Sequence, residues 1–592
     1  MRPRSNLFIA GIAYCLSIFL AACGGGSSTQ SITISVSPGS ATVNVGATVQ
    51  FAASIGNSAN LAARWQVNGN DGGNPTVGTI SGSGLYTAPL SIPQPATVQV
   101  TAVSQAEPSK SASVPVSITI FVAASVASTI AGPLQTFMSD NLQPSDSFHA
   151  SFFTRAPDAK TLLDKLGSQH IRLQTCCGAA PQQGPTAWDF SLLDPLVQPL
   201  LGLADRSPQL ELGVPAFLGD GNGGIPSSNY QAFADYGANL VRYYNAGGFD
   251  VNGVHFQSAS PNHITWWSIY NEPNCCFAPD QYALLYNTVV PAMKAVDPTI
   301  KIAAVQLADL GGSGRSDWPQ LFMPTFVANV TAPVDAVGTH LYSTCNQGDP
   351  DQIIFDSIND FVSHTQFIAA SLKAEPTLAN VPVWVTENNV NASFNGEGGT
   401  VGFTMCNGIS LPFVEDLRPN SAFFSAWRPL LFSSLAQGGT QGLFHWDYNA
   451  GLQFGEYDDN DPPGTEKVVL SYWVDYELGH YFPYPPGASI LSVSNPDSTD
   501  VEILAAKNPD GSVVIMIVDH AVHSPTDNNG QGDPRTVTLD ITALGAFRNA
   551  TVLKIDAHTD PAIGPATNPI TTAKPLPISF DGYGVAFLLL QP

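Results

Sequence analysis

The sequence predicts a multidomain chain in which a (β/α)8 TIM barrel is flanked by an N-terminal and a C-terminal β-sandwich. Three observations carry this. The 592 residues are enough for about three or four folded units of roughly 150 residues each. Near both ends apolar and polar residues alternate with the period of half-buried strands. Between roughly residues 124 and 473, short apolar runs alternate instead with amphipathic stretches, the order of a parallel barrel. Hydrophobic residues make up 44% and charged residues 12%, with 52 Gly and 47 Pro, so several cores are joined by many turns and global disorder is excluded. Lys and Arg number 22 against 47 Asp and Glu, a net charge of −25 that repels phosphate backbones and excludes nucleic acid as a partner.

The first 22 residues read as a signal peptide. Arg2 and Arg4 precede a charge-free stretch from Leu7 to Ala22 that is too short to span a hydrocarbon core comfortably. Leu20-Ala21-Ala22-Cys23 and the following Gly24-Gly25-Gly26-Ser27-Ser28 resemble a bacterial lipobox with a flexible tether over residues 23–31. The resemblance implies lipidation of Cys23 and an envelope-anchored or exported protein that meets a membrane only through that anchor. Ordinary cleavage near Ala22 is the alternative.

Residues 32–120 form the first sandwich. Ile32, Ile34 and Val36 alternate with polar residues, as do Val98, Val100 and Ala102, and turns recur at Pro38-Gly39, Asn68-Gly69 and Gly82-Ser83-Gly84. With Trp65 in "ARWQVNG" and the stretch "GTISGSGLYTAP", this segment resembles a bacterial immunoglobulin-like domain without its disulfide. A spacer role is favoured over carbohydrate binding.

The barrel occupies residues 124–473. Its strands are expected in "HIRLQT", "LELGVPAF", "ITWWSIYNE", "IKIAAVQ", "VDAVGTHLY", "VPVWVTEN" and "GLFHWDYN", with helices over Tyr230 to Tyr244 and Asp280 to Val296. Chemistry in such barrels gathers at the C-terminal strand ends. The last unit, residues 474–592, returns to alternating strands in "VEILAAKNPDGSVVIMIVDH", where Asn508-Pro509-Asp510-Gly511 reads as a hairpin turn.

Two carboxylates end predicted strands, Glu272 in "WWSIYNEPN" and Glu387 in "VWVTENN", 115 residues or about three βα units apart. An ionisable side chain after so apolar a run needs a partner or a task. Asn-Glu-Pro after an aromatic strand, with a second Glu three strands on, resembles the clan A glycoside hydrolases. Arg172 in "HIRLQT", Glu211 in "LELGVPAF", and His340 and Tyr342 in "VDAVGTHLY" extend the resemblance to family 39, over about residues 145–592.

That resemblance implies a retaining glycosidase that needs no cofactor or metal and takes a carbohydrate substrate, with Glu272 as general acid/base and Glu387 as nucleophile. It further implies that Asn271 holds the sugar 2-hydroxyl. Arg172 would keep Glu387 ionised, an apolar setting would raise the pKa of Glu272, and His340 and Tyr342 would orient Glu387 or the sugar. Among Trp266, Trp267, Trp384 and Trp446, only Trp446 is expected to stack on a sugar. The chain departs from the family where Gln174 and Cys176-Cys177 follow Arg172, which unsettles xylosidase specificity.

Cys176, Cys177, Cys275, Cys276, Cys345 and Cys406 all follow barrel strands or lie in an adjoining insertion. An exported protein would oxidise them. Adjacent cysteines rarely bridge each other, so one bond is expected between the Cys176-Cys177 and Cys275-Cys276 groups and another between Cys345 and Cys406. Gly219-x-Gly221-x-x-Gly224 mimics a dinucleotide fingerprint, but Pro226 and Ser227-Ser228 start the helix after the glycines. Glu456, Asp458, Asp459 and Asp461 lack EF-hand spacing and read as a solvated loop. No Gly-x-Ser-x-Gly elbow or His-Glu-x-x-His helix occurs. The rival functions are a polysaccharide-binding lipoprotein without catalysis and a transglycosylase.

Overall fold

The computed structural model describes residues 30–143, 147–175, 179–203, 208–458, 467–483, 487–571 and 575–592. The signal segment, Cys23, most of the tether, Cys176, Cys177, Asp459 and Asp461 lie outside them. Among the described residues no helix is long and apolar enough to cross a membrane.

The chain divides into two compact units, Met1–Ser117 and Ile118–Pro592. The first consists of short antiparallel strands. Thr97–Ser104 pairs with Ala63–Val67 on one side and with residues 111–117 on the other. Its alternation buries Val98, Val100 and Ala102 against Trp65, Val67 and Val116. Asn68 and Gly69 both adopt positive φ, 46° and 79°, as a two-residue hairpin requires when its twist must match the flanking strands.

The second unit contains the barrel. Eight parallel strands close in sequence order: β1 (Phe137–Leu142), β2 (Ile171–Gln174), β3 (Gln209–Leu212), β4 (Trp266–Ile269), β5 (Lys301–Leu307), β6 (Ala336–Thr344), β7 (Val383–Asn391) and β8 (Gly442–His445). Seven are the apolar runs expected from sequence. β1 is the exception, because its Ser139-Asp140-Asn141 core breaks the apolar pattern although every residue in it is buried. Helices Tyr230–Asn245 and Pro279–Val296 lie where expected, the first starting after the glycine-rich loop.

The lower end of the barrel is plugged by Phe137, Trp266, Ala303, Ala336, Trp384 and Phe444. Trp266 and Trp384 sit 4.5 Å apart there, and Trp267 faces the helical layer at 0% exposure, so these three tryptophans serve packing. The plug leaves the opposite end, where the strands finish, as the open mouth.

An antiparallel sheet packs against the barrel helix Ala422–Gly438, with Phe423, Phe424 and Trp427 meeting Val514, Met516 and Phe587. It takes one strand from before the barrel: residues 120–125 run parallel to Arg535–Asp540, and the same strand continues against Ser489–Ser494. The Asn508–Gly511 turn joins Val501–Lys507 to Val513–Asp519, with Gly511 at φ 87°.

Candidate active site

Arg172, fully buried on β2, organises the barrel mouth. One terminal nitrogen donates to Glu387 Oε1 at 2.6 Å and to Asn141 Oδ1 at 3.0 Å. The other donates to Glu211 and to Asn271 Oδ1, the latter at 2.8 Å. A buried guanidinium needs such partners, since desolvation costs it several kcal/mol. Gln174, two residues on and thus on the same face of β2, donates to Glu387 Oε1 and to Asn271 Oδ1 at 3.2 Å.

From β6 the His-x-Tyr pair also points inward. Tyr342 donates to Glu387 Oε2 at 2.9 Å, and His340 Nδ1 lies 2.8 Å from Glu272 Oε1 and 3.5 Å from Glu387 Oε2. Both Glu387 oxygens are therefore held by donors, which fixes the orientation of the carboxyl. The oxygens of Glu272 and Glu387 that face His340 lie within 4.8 Å of each other.

The backbone aims Glu272 by an uncommon route. Tyr270 and Glu272 have φ of 71° and 50°, and across β5 Val305 and Gln306 have 76° and 61°. Four non-glycine residues in the left-handed region, each costing of order 1–3 kcal/mol, mark a place where the fold gives up stability to set a side chain. The Glu272 N–H donates to Gln306 O at 3.0 Å and joins the two strand ends.

Glu272 is one-third exposed at the mouth, yet the surrounding walls bury its carboxyl enough to push its pKa up to about 7 against the pull of the Arg172 charge. Burial pushes His340 down to about 3, Glu387 opposing and Arg172 adding to the fall, so this imidazole is neutral. Its Nε2 has no hydrogen-bond partner among the described residues. Burial raises the Tyr342 hydroxyl well above 10, leaving it a donor at every working pH.

These groups open onto a cavity of about 580 Å3, lined by Glu272, Glu387, Asn271, Gln174 and Tyr342 on its floor and by Trp446 at its edge. Trp446 is half-buried and follows β8; the Trp446–Asp447 peptide is cis. Glu211 touches Arg172 and is fully buried. The structure thus brings all eight barrel residues singled out from the sequence to one end of the barrel. It adds Gln174 and Asn141, whose polar side chains in buried strands were the available signal.

Glu272, His340 and Glu387 place one donor atom each within 4.8 Å of one another, as do His445, Glu456 and Asp475, and either set has the spacing a small cation could bridge. In each, an arginine already meets one acid: Arg172 with Glu387, and Arg428 with Asp475.

Two sequence expectations need correction. Cys275 bonds to its neighbour Cys276, with Cα atoms 3.8 Å apart, which leaves neither sulfur for Cys176 or Cys177. The tight 3-10 turn Pro273–Cys275, launched by the left-handed Glu272, brings adjacent sulfurs together in a way that general rarity does not anticipate. Cys345 and Cys406 pair as expected. Glu456 is fully buried rather than solvated, because the segment after β8 folds inward before the acidic run.

No protein-family model matches the sequence, and no curated protein does. Solved structures do. An α-L-arabinofuranosidase from Thermotoga maritima, in complex with arabinose, aligns at a TM-score of 0.56 and 12% identity over 80% of this chain and 100% of its own. A family 51 α-L-arabinofuranosidase from Bifidobacterium longum aligns at 0.55 and 12%, over 79% and 99%. A glucosidase from Croceicoccus marinus aligns at 0.51 and 14%, over 80% and 99%. At these identities the likeness is one of fold, a barrel with an added β-sheet domain.

Proposed function

We propose that the chain is a retaining glycoside hydrolase, with Glu387 as nucleophile and Glu272 as general acid/base. The observation that carries the reading is the contrast in surroundings between two neighbouring carboxyls. Glu387 is gripped by Arg172, Gln174 and Tyr342, while Glu272 has a pKa of about 7 and holds its proton until near neutrality. One ionised and one protonated acid is what glycosidic cleavage asks for: protonation of the leaving oxygen and a carboxylate for the developing oxocarbenium ion.

Inversion needs a water between the acids and a separation of about 6.5–9.5 Å, whereas retention works at about 5–5.5 Å. One oxygen of each carboxyl lies within 4.8 Å of the other, a closeness that supports retention. In the first half-reaction Glu272 gives its proton to the departing oxygen as a Glu387 oxygen bonds to the anomeric carbon. In the second, Glu272 takes a proton from water as the water oxygen bonds to the anomeric carbon and the bond to Glu387 breaks, which releases the sugar and returns Glu387 as a carboxylate. Asn271 accepts from Arg172 and Gln174 through Oδ1, which turns its amide nitrogen toward the substrate's 2-hydroxyl. Trp446 offers its ring to the sugar face.

The family 39-like assignment rests on Arg172 on β2, Glu211 on β3, Asn271-Glu272 after β4, His340-x-Tyr342 on β6 and Glu387 on β7 standing in that family's order. The export signal and lipobox at Cys23 support a place on the bacterial envelope. Purified protein tested on a panel of p-nitrophenyl glycosides and polysaccharides, with NMR of the first-formed anomer, tests the reading. Hydrolysis with retained configuration is expected. Inverted product removes Glu387 as nucleophile, and binding without turnover favours the non-catalytic alternative.

A further inference from the structure

The cavity is polar on its floor and apolar on its wall. The floor consists of strand-end residues that hydrogen-bond one another. The wall comes from the loops beyond them: Leu310 after β5, Ala392 and Phe394 after β7, and Phe454 after β8. Three acids interrupt it, one of them Asp447 beside Trp446. Asp309 already accepts from His364 Nδ1 at 2.5 Å and from Ser316 at 3.2 Å, and Glu397 Oε2 accepts from Thr404 and from the Met405 N–H. No lysine or arginine stands with them among the described lining residues, and Gln143, after β1, is the one side-chain amide outside the floor. A second sugar ring placed here would find few partners for its hydroxyls, and each one desolvated without a partner costs about 1–3 kcal/mol.

The apolar surface continues outward. Phe394 is 53% exposed, and beyond it Phe403 on the hairpin Phe403–Cys406/Ile409–Pro412 is 40% exposed, with Val401 before the hairpin and Val414 after it 82% and 54% exposed. That hairpin folds back on the Phe394 segment, with the Gly396 N–H donating to Phe403 O at 2.9 Å, and the Cys345–Cys406 disulfide pins it to the end of β6. A patch this apolar is unusual on a surface that must stay in water, and here it is held beside the reacting acids.

We infer that the wall is a binding site for an apolar aglycone, so that the substrate is a glycoside of a long-chain or aromatic alcohol rather than an internal unit of a polysaccharide. This rests on the proposed hydrolase reading, in which the sugar occupies the polar floor and the group attached to it must leave along the wall. Contact of alkyl or aryl carbon with Leu310, Phe394 and Phe454 removes apolar surface on both sides from water, and the gain grows with each methylene buried.

The test uses methyl, butyl and octyl glycosides of glucose, xylose and arabinofuranose, in both anomers. Their alcohols differ little in acidity, so chemistry alone gives a flat series. For the sugar that is cleaved, kcat/KM is expected to rise by roughly tenfold or more from methyl to octyl. Phe394→Ala should bring the octyl-to-methyl ratio toward one, and Phe394→Leu should restore most of it. The same series is measured by calorimetric binding to the wild-type protein. Turnover with a flat chain-length series, or a higher kcat/KM for an oligosaccharide of the same sugar, overturns the aglycone site and leaves the hydrolase standing. Chain-length-dependent binding that Phe394→Ala abolishes, with no turnover, keeps the site and overturns the hydrolase. No turnover and no chain-length dependence overturns both.

Discussion

At the barrel mouth Glu272 and Glu387 meet Arg172 and His340; against β1 and β8, Asp140, Glu456 and Asp475 meet Arg428 and His445. The ingredients match: carboxyls, one arginine and one histidine. In the second group Arg428 grips Asp475 through two nitrogens, both bonds at 2.9 Å, and His445 Nδ1 lies 3.1 Å from Asp475 and 3.7 Å from Glu456. Burial opposes ionisation of Asp475, yet Arg428 and His445 hold it well below the usual carboxylate range. Glu456, with burial and then the charges of Asp140 and Asp475 against it, is pushed well above its ordinary value. Each cluster thus sets an acid held by an arginine beside one whose pKa burial raises, and in the second Asp140 is raised as well.

Access separates them. The mouth cluster opens on the cavity, so a molecule bound there can reach Glu272. The inner cluster is sealed, with Asp140, His445, Glu456 and Asp475 all at 3% exposure or less. Its proton can only hold the fold together. Arg428 also donates to Asn388, the neighbour of Glu387, and Asn141 links Arg172 to His445 O at 2.9 Å, so the sealed group braces the strands that present the open one. Polarised acid pairs therefore identify a catalytic site only together with a cavity.

The comparison breaks most sharply at Glu387. Glu387→Ala should reduce turnover of every glycoside to background, because no covalent intermediate can form, while thermal unfolding still shows a folded barrel. Any substrate turned over at the wild-type rate would end its assignment as nucleophile. Glu272→Ala should cost about 10²–10⁴-fold on alkyl glycosides and far less on p-nitrophenyl glycosides, whose leaving group needs little protonation. Equal losses on both would remove the acid role. Because the protonated form of Glu272 is the active one and its pKa is about 7, kcat/KM should fall about tenfold per unit above that pH.

Arg428→Ala tests the other side. It leaves Asp475 buried without its cation, and losing one partner of a buried pair costs about 3–5 kcal/mol. Chemical denaturation should register that loss. The ratio of aryl to alkyl glycoside activity in the folded fraction should stay as in wild type, since Arg428 touches neither acid at the mouth. A changed ratio would mean that the sealed cluster takes part in proton transfer.

The mouth was legible in the sequence and the sealed cluster was not, for a physical reason. The residues of the mouth sit at the ends of apolar strands, where a lone Arg, Glu or His-x-Tyr breaks the hydrophobic run and is conspicuous. Those of the sealed cluster are scattered over β1, the end of β8, a loop and a helix, and only the fold brings Asp140, Glu456 and Asp475 together. β1 itself was hidden because Ser139-Asp140-Asn141 points polar groups inward. The Cys275–Cys276 bond was missed because it depends on the backbone conformation of Glu272, which no composition rule reports.

The smallest expected effect is the most specific to the comparison. Glu456 is raised in the folded state and ionises near its ordinary value once unfolded, so above the unfolded pKa the native state holds a proton that the unfolded chain has lost. Stability therefore declines as pH rises from that value toward the folded one, the unfolded state binding fewer protons throughout the window. Glu456→Gln keeps the shape of the protonated acid and cannot ionise, so it should remove this decline. The expected result is a Tm above wild type at pH 8 and close to it at pH 4, with the pH profile of kcat/KM unmoved because Glu272 still sets it. A pH profile that moved with Glu456→Gln would mean the two clusters exchange a proton after all. A Tm difference that persisted unchanged at pH 4 would show that the gain came from packing and not from the proton.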